Sequence, residues 1–118
     1  MVTAQQVRDL ALTLPRTTEH LVRDRVKFRV GSLVYVSFSR DETVMGFAYP
    51  KDERLALIAA EPHKFHLPVK ADERYNWVRA WLAALDPAEM TELVVDAWCM
   101  VVPKGVAAAY LETSDPPS

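Results

Sequence analysis

The apolar positions of this chain follow two different periods, and the changes of period mark its elements. Val7, Leu10, Ala11 and Leu14 recur at three-and-four spacing, one face of a first helix. Thr3 stands before them as an N-cap with Gln6 at capping-box spacing. Pro15 ends the helix, because the residue before a proline is pushed out of the helical region.

From residue 25 to 49 the period becomes two. In "VRDRVKFRVG", residues 22–31, Arg23, Arg25, Lys27 and Arg29 alternate with Asp24, Val26 and Phe28, and Val30 follows. The register of the hairpin that begins here can be argued from side-chain faces. A two-residue turn at Gly31-Ser32 would mix charged and apolar groups on both faces. A loop of Gly31-Ser32-Leu33 instead sets Val30 against Val34, Phe28 against Val36 and Val26 against Phe38. It also gathers Arg29 with Tyr35, Lys27 with Ser37 and Arg25 with Ser39 on the other side. A one-residue slip exchanges the two faces, so the three-residue loop is the expected one. A turn at Arg40-Asp41-Glu42 then leads to a third strand from Thr43 to about Ala48.

A second helix is expected from about Lys51 to Ala60, with Leu55, Ile58 and Ala59 inward and Pro62 just beyond its end. Residues 61–74 read as irregular. Residues 75–82, "YNWVRAWL", suit a helix through Trp77 and Trp81 but a strand through their alternation. In the last helix Asp86 caps, Pro87 takes the first turn and Glu89 lies three residues past the cap. Met90, Leu93, Val94, Ala97, Trp98 and Val101 form its apolar stripe, and Pro103 closes it. The expected order is α-β-β-β-α-β-α, an α+β domain with an antiparallel sheet and helices packed on one face. It spans residues 1–112, and "TSDPPS", 113–118, reads as a disordered tail.

Composition narrows the class of protein. The chain has 118 residues, long enough for one domain with a core of its own. One cysteine, Cys99, leaves no intramolecular disulfide and no cysteine-rich zinc site. No signal-peptide pattern opens the chain and no apolar run has membrane-spanning length, so a cytoplasmic protein that spans no membrane is expected. The formal net charge of −2 is unlike that of a domain coated in nucleic acid. Its distribution is polarised, however. Residues 16–40 hold six basic residues against Glu19 and Asp24, while residues 86–118 hold six acids against Lys104.

Candidate chemistry follows from this polarity. Arg25, Lys27, Arg29 and Tyr35 form the outer face of the expected hairpin. Regularly spaced cations suit phosphates, and a two-stranded ribbon fits a DNA groove. The plainer reading is that one side of an antiparallel sheet simply stays wet. Arg40, Lys70, Arg74 and Arg79 would extend the surface. Tyr75, Trp77, Arg79 and Trp81 alternate on one strand face, where aromatics could stack bases. Large aromatics more commonly pack in a core with an arginine stem alongside, and that is the expectation here. His63 and His66, beside Glu61, lack a third metal ligand at suitable spacing. Acidic neighbours on the last helix would raise the Cys99 pKa, away from a reactive thiolate. No nucleophile–base motif or glycine-rich phosphate loop is present, and neither catalysis, cofactor nor metal is expected.

Several phrases in order carry a family resemblance: "LPRTTEH", "VKFRVGSLVYVSFS", "YPKDERLALIAAEPHKFHLP", "YNWVRAWLAALD" and "ELVVDAWCMVVPK". Together they cover nearly all of residues 3–105, and the chain resembles the MmcQ/YjbR-like family of small bacterial proteins. The resemblance implies a CyaY/frataxin-like α+β sandwich with "YNWVRAWL" as a strand. It also implies DNA binding through a winged arrangement of hairpins, and carries over no catalytic residue. The iron-binding acidic helix of the frataxin fold is not matched, since the first helix offers Asp9 alone. The functional expectation is therefore a non-catalytic protein that contacts DNA phosphates weakly through the basic hairpin face. The alternative is a module that binds another protein or a small ligand.

Overall fold

The computed structural model describes residues 1–114, and side-chain surroundings through 112. Six strands form one antiparallel sheet in the order β1-β2-β3-β4-β6-β5, accompanied by four helices, an α+β architecture. The strands are β1 (Thr17–Val22), β2 (Arg25–Val30), β3 (Leu33–Phe38), β4 (Val44–Ala48), β5 (Phe65–His66) and β6 (Trp77–Trp81). The helices are α1 (Ala4–Ala11), α2 (Arg54–Ala60), α3 (Pro87–Cys99) and α4 (Lys104–Ser114).

The caps form as their spacing predicts. The Thr3 hydroxyl accepts from the Gln6 amide while the Gln6 side chain accepts from the Thr3 amide. Asp86 Oδ1 accepts from the Glu89 amide at 2.7 Å. α1 packs against α3, and α3 lies across β3 and β4. This side of the sheet holds the core, with Val7 and Ala11 from α1, Phe28, Val36, Phe38, Met45 and Phe47 from the strands, and Val94 and Trp98 from α3. The Trp98 indole donates to the Pro15 carbonyl at 2.9 Å, tying α3 to the end of α1.

Besides β5, a two-residue strand pairing with β6 inside the stretch 61–74 that reads as irregular, four elements depart from expectation, each for a physical reason. β1 carries "TTEHLV", polar on both faces, because it is a sheet edge and has no continuous apolar side to reveal a period. α2 begins at Arg54 and turns its first residue inward, leaving Leu55 66% exposed and Ala59 exposed as well. Pro103 closes nothing: its fixed φ suits a helix start, and its carbonyl accepts from the Val106 and Ala107 amides as α4 begins. α4 reaches Ser114, so the expected tail at 113–118 begins inside a helix, and residues 115–118 lie outside the described residues.

The fourth departure concerns the first hairpin, which combines both registers. Lys27 pairs with Ser37 and Phe28 with Val36, as the three-residue loop requires. Beyond Phe28 the pairing shifts, so that Arg29 meets Val34 and Val30 meets Leu33 across a two-residue Gly31-Ser32 turn. The register shift between Phe28 and Arg29 leaves Tyr35 as the extra residue of a β-bulge. The bulge turns Tyr35 toward the helices, where it is 0% exposed and its hydroxyl lies 2.7 Å from Thr17 Oγ1. The expectation that Tyr35 shares the outer face with Arg25, Lys27 and Arg29 is thereby corrected.

Burial pushes the Tyr35 hydroxyl up to about 12, against a lesser opposing effect of the Thr17 hydrogen bond. Because the folded value lies above the unfolded one, the contribution to stability is complete below pH ~10 and is lost as the pH rises through the folded value. Urea unfolding at pH 9 and pH 11 should therefore show a steeper loss of stability for the wild type than for Tyr35→Phe.

Candidate nucleic-acid interface

Alternation along the strands sends one set of residues away from the helices. On β2 this set is Arg25, Lys27 and Arg29, and on β3 it includes Ser37, opposite Lys27. β4 contributes Val44, Gly46 and Ala48, which face Trp81, Arg79 and Trp77 of β6 in register. His66 of β5 lies opposite Arg79. The tryptophans of "YNWVRAWL" are thus on the outer face, with Val78 and Ala80 in the core, the reverse of the core packing expected for them. Strand parity decides this, since the two small apolar residues fit beneath the helices.

Gly46 explains how an indole occupies that face. A Cβ built at Gly46 would lie 2.6 Å from Trp77 Nε1 and 3.0 Å from Cε2, so the ring rests directly on the β4 backbone. Trp77 belongs to the diagonal neighbour position across the β4–β6 pair, within reach of a large aromatic. Covered on one side by helix α3 and on the other by such groups, all five residues of β4 are buried.

A segment from Pro68 to Asp72 folds back over the same face. Between it and the sheet lies a recess of about 190 Å³, whose lining includes Arg25, Lys27, Arg79, Ser37, Asp72 and Trp77. Cations from β2 and β6 therefore meet across two intervening strands. Among the described residues none of Arg25, Lys27, Arg29 or Arg79 takes part in an ion pair, and none donates a side-chain hydrogen bond. The Ser37 hydroxyl is likewise uncommitted, whereas Ser39 Oγ is held by Asp41 and the Val44 amide. A groove of about 640 Å³ adjoins the recess and shares Lys27, Asp72 and Trp77 with it; Val34, Ala48, Tyr75 and Met100 make its apolar wall.

The remaining sequence candidates do not line the recess. Arg29 is half-buried at the bulge, and its Nε is buried without a hydrogen-bond partner among the described residues. Arg40 is exposed in the β3–β4 turn, and Lys70 is exposed on the segment that covers the recess. Arg74 stacks over its neighbour Tyr75, 4.8 Å from the ring centre, and donates to the Tyr75 hydroxyl. At the rim, Trp81 is 48% exposed and packs on His66 with 5.2 Å between ring centres. Burial, and then the charge of Arg79, hold the His66 imidazolium below its ordinary pKa. His63 is exposed elsewhere on the loop. On α3, burial first and Asp96 second push the Cys99 thiol up, and Glu89 is engaged by Lys64 at 3.1 Å.

Sequence reasoning passed over Arg54, the buried charged residue that fixes the covering segment. Its guanidinium donates to the carbonyls of Tyr75 at 3.0 Å, Trp77 at 3.2 Å and Glu73. Nothing in the pattern of α2 distinguishes this arginine from a solvated one. Asp72 was equally silent, while Gly46 inside an apolar strand was a usable signal of close approach.

Two substitutions test this construction. Arg54→Met keeps the stem but strands the three carbonyls, and should cost about 2 kcal/mol in urea unfolding with faster amide exchange at residues 73–77. Gly46→Ala must displace the Trp77 ring and should cost about 1–3 kcal/mol, visible as a shift of the Trp77 indole NMR resonance.

Comparison with known proteins follows the same architecture. The crystal structure of Deinococcus radiodurans protein DR2400, described by the domain family DUF419, superposes with a TM-score of 0.75 at 21% identity. The superposition covers 100% of this chain and 92% of that one, a likeness of fold. A search of curated proteins returns no match. The YjbR family model matches residues 12–100, from the end of α1 through α3, so the hairpin, the covering segment and the recess all fall inside the matched region, and the chain belongs to the YjbR family.

Proposed function

We propose that this protein binds single-stranded nucleic acid along the open face of its sheet, as a binding module to which no reaction is assigned. The observation that carries the reading is the convergence of Arg25, Lys27 and Arg79 on one recess, where among the described residues none of them forms an ion pair and Asp72 is the single acid of the lining. Three cations against one carboxylate, on a protein of net charge −2, are a local exception, and phosphate is the anion that such an arrangement attracts through counterion release. Exposed Trp81 and Tyr75 beside them supply flat apolar surfaces on which unpaired bases stack.

Single strands are favoured over duplex by topology. A ribbon that enters a groove must project from the fold, whereas β2 and β3 are flanked by β1 and β4 within a continuous sheet. A sheet surface with aromatic and basic groups instead suits splayed bases. In this reading the sheet acts as a platform rather than as a groove-reading wing, with Arg79 working beside Arg25 and Lys27.

Titration of a fluorescent oligothymidylate and of a duplex at several salt concentrations tests the proposal. The single strand should bind more tightly, and the triple variant Arg25→Ala, Lys27→Ala, Arg79→Ala should lower the slope of log affinity against log salt by about two. Absence of binding at low salt, or tighter binding of the duplex, overturns it.

A further inference from the structure

The recess differs from the open platform around it, and the difference bears on which part of a strand it receives. Pro68, Val69 and Asp72 roof it on one side, and the β4 backbone with Trp77 borders it beneath. A polynucleotide running along the sheet keeps its internal phosphates on the surface. A space of about 190 Å³ takes a terminal phosphate together with the sugar that carries it, which suits a chain end.

We infer that the recess recognises a terminal phosphate monoester of a nucleotide, with its nucleoside lying in the adjoining groove. This rests on the nucleic-acid reading above and names the group that the site takes.

Charge is the first argument. Arg25, Lys27 and Arg79 oppose Asp72, so the lining carries two positive charges in excess. A phosphate monoester bears close to two negative charges at neutral pH, while the diester inside a strand bears one. Hydrogen bonding is the second. The Ser37 hydroxyl has no hydrogen-bond partner among the described residues, and the guanidinium groups of Arg25 and Arg79 supply forked donors for the non-bridging oxygens. Asp72 would repel a further phosphate but accept a hydrogen bond from a hydroxyl, and a sugar carries both the phosphate and the hydroxyl. Continuity is the third. Lys27, Asp72 and Trp77 line both the recess and the groove of about 640 Å³, whose apolar wall of Val34, Ala48, Tyr75 and Met100 matches a base.

The same chemistry occurs at the 5′-phosphorylated end of a strand and in a free mononucleotide, and competition separates these sources. The wild-type protein is titrated with labelled decathymidylate bearing a 5′-phosphate or a 5′-hydroxyl, with thymidine 5′-monophosphate as unlabelled competitor. The phosphorylated strand should bind about tenfold more tightly, the scale of one or two charge-assisted hydrogen bonds. Ser37→Ala should shrink that preference several-fold while leaving the 5′-hydroxyl strand unaffected. Competition by the mononucleotide at the concentration effective for the phosphorylated strand supports the inference with a free nucleotide as the ligand. Weak competition supports it with the strand end as the ligand. Equal binding of the two strands overturns the inference and leaves the single-strand reading standing. Binding of neither strand overturns both.

Discussion

The contact between the Trp77 indole and the β4 backbone at Gly46 governs the outer half of this molecule. A two-layer fold needs one buried sheet face, and the helices cover that face with an apolar core. The opposite face could have remained an ordinary wet surface. The indole, seated where β4 offers no side chain, instead buries the centre of that face and forms a wall against which the 68–72 segment closes. The recess exists because this wall and the basic residues of β2 stand on either side of the small side chains of β3 and β4.

Much of this fold was legible in local pattern, and the failures share a cause. The capping box of α1, the Asp86 cap of α3 and the strand at "YNWVRAWL" are set by near neighbours or by family resemblance, and each is present. Edge strand β1 was hidden because an edge strand answers to water on most sides. Tyr35 was misplaced because the argument assumed one register for the whole hairpin. A bulge reverses the parity of inside and outside partway along, and no single period describes such a strand. The basic row and Arg79 were visible as charge, yet the way three of these cations meet at one recess was not. Arg79 joins Arg25 and Lys27 through strand order, which places β6 beside β4 after a long excursion in sequence.

Electrostatics and shape therefore divide the work at this face. The acidic residues of the C-terminal third lie largely on the helical side, as with Glu89, which is engaged by Lys64, and Asp96, whose carboxyl burial and the Glu92 charge push up. Among the described residues Arg25, Lys27 and Arg79 on the sheet side form no ion pair. A near-neutral total charge limits indiscriminate attraction to polyanions, while the local excess remains to act at short range within a Debye length.

The attachment of the covering segment has a consequence for how such a site can diversify. Arg54 grips the stretch between the covering segment and β6 by the carbonyls of residues 73, 75 and 77, groups that every amino acid possesses. Of the side chains between those anchor points, that of Asn76 also holds the structure, since its Oδ1 accepts from the Lys51 amide at 2.9 Å. Tyr75, which lines the groove, can be exchanged without releasing the grip, provided the backbone path is kept. Attachment and surface chemistry are thereby uncoupled at position 75, where a different side chain changes the wall of the groove on one unchanged frame.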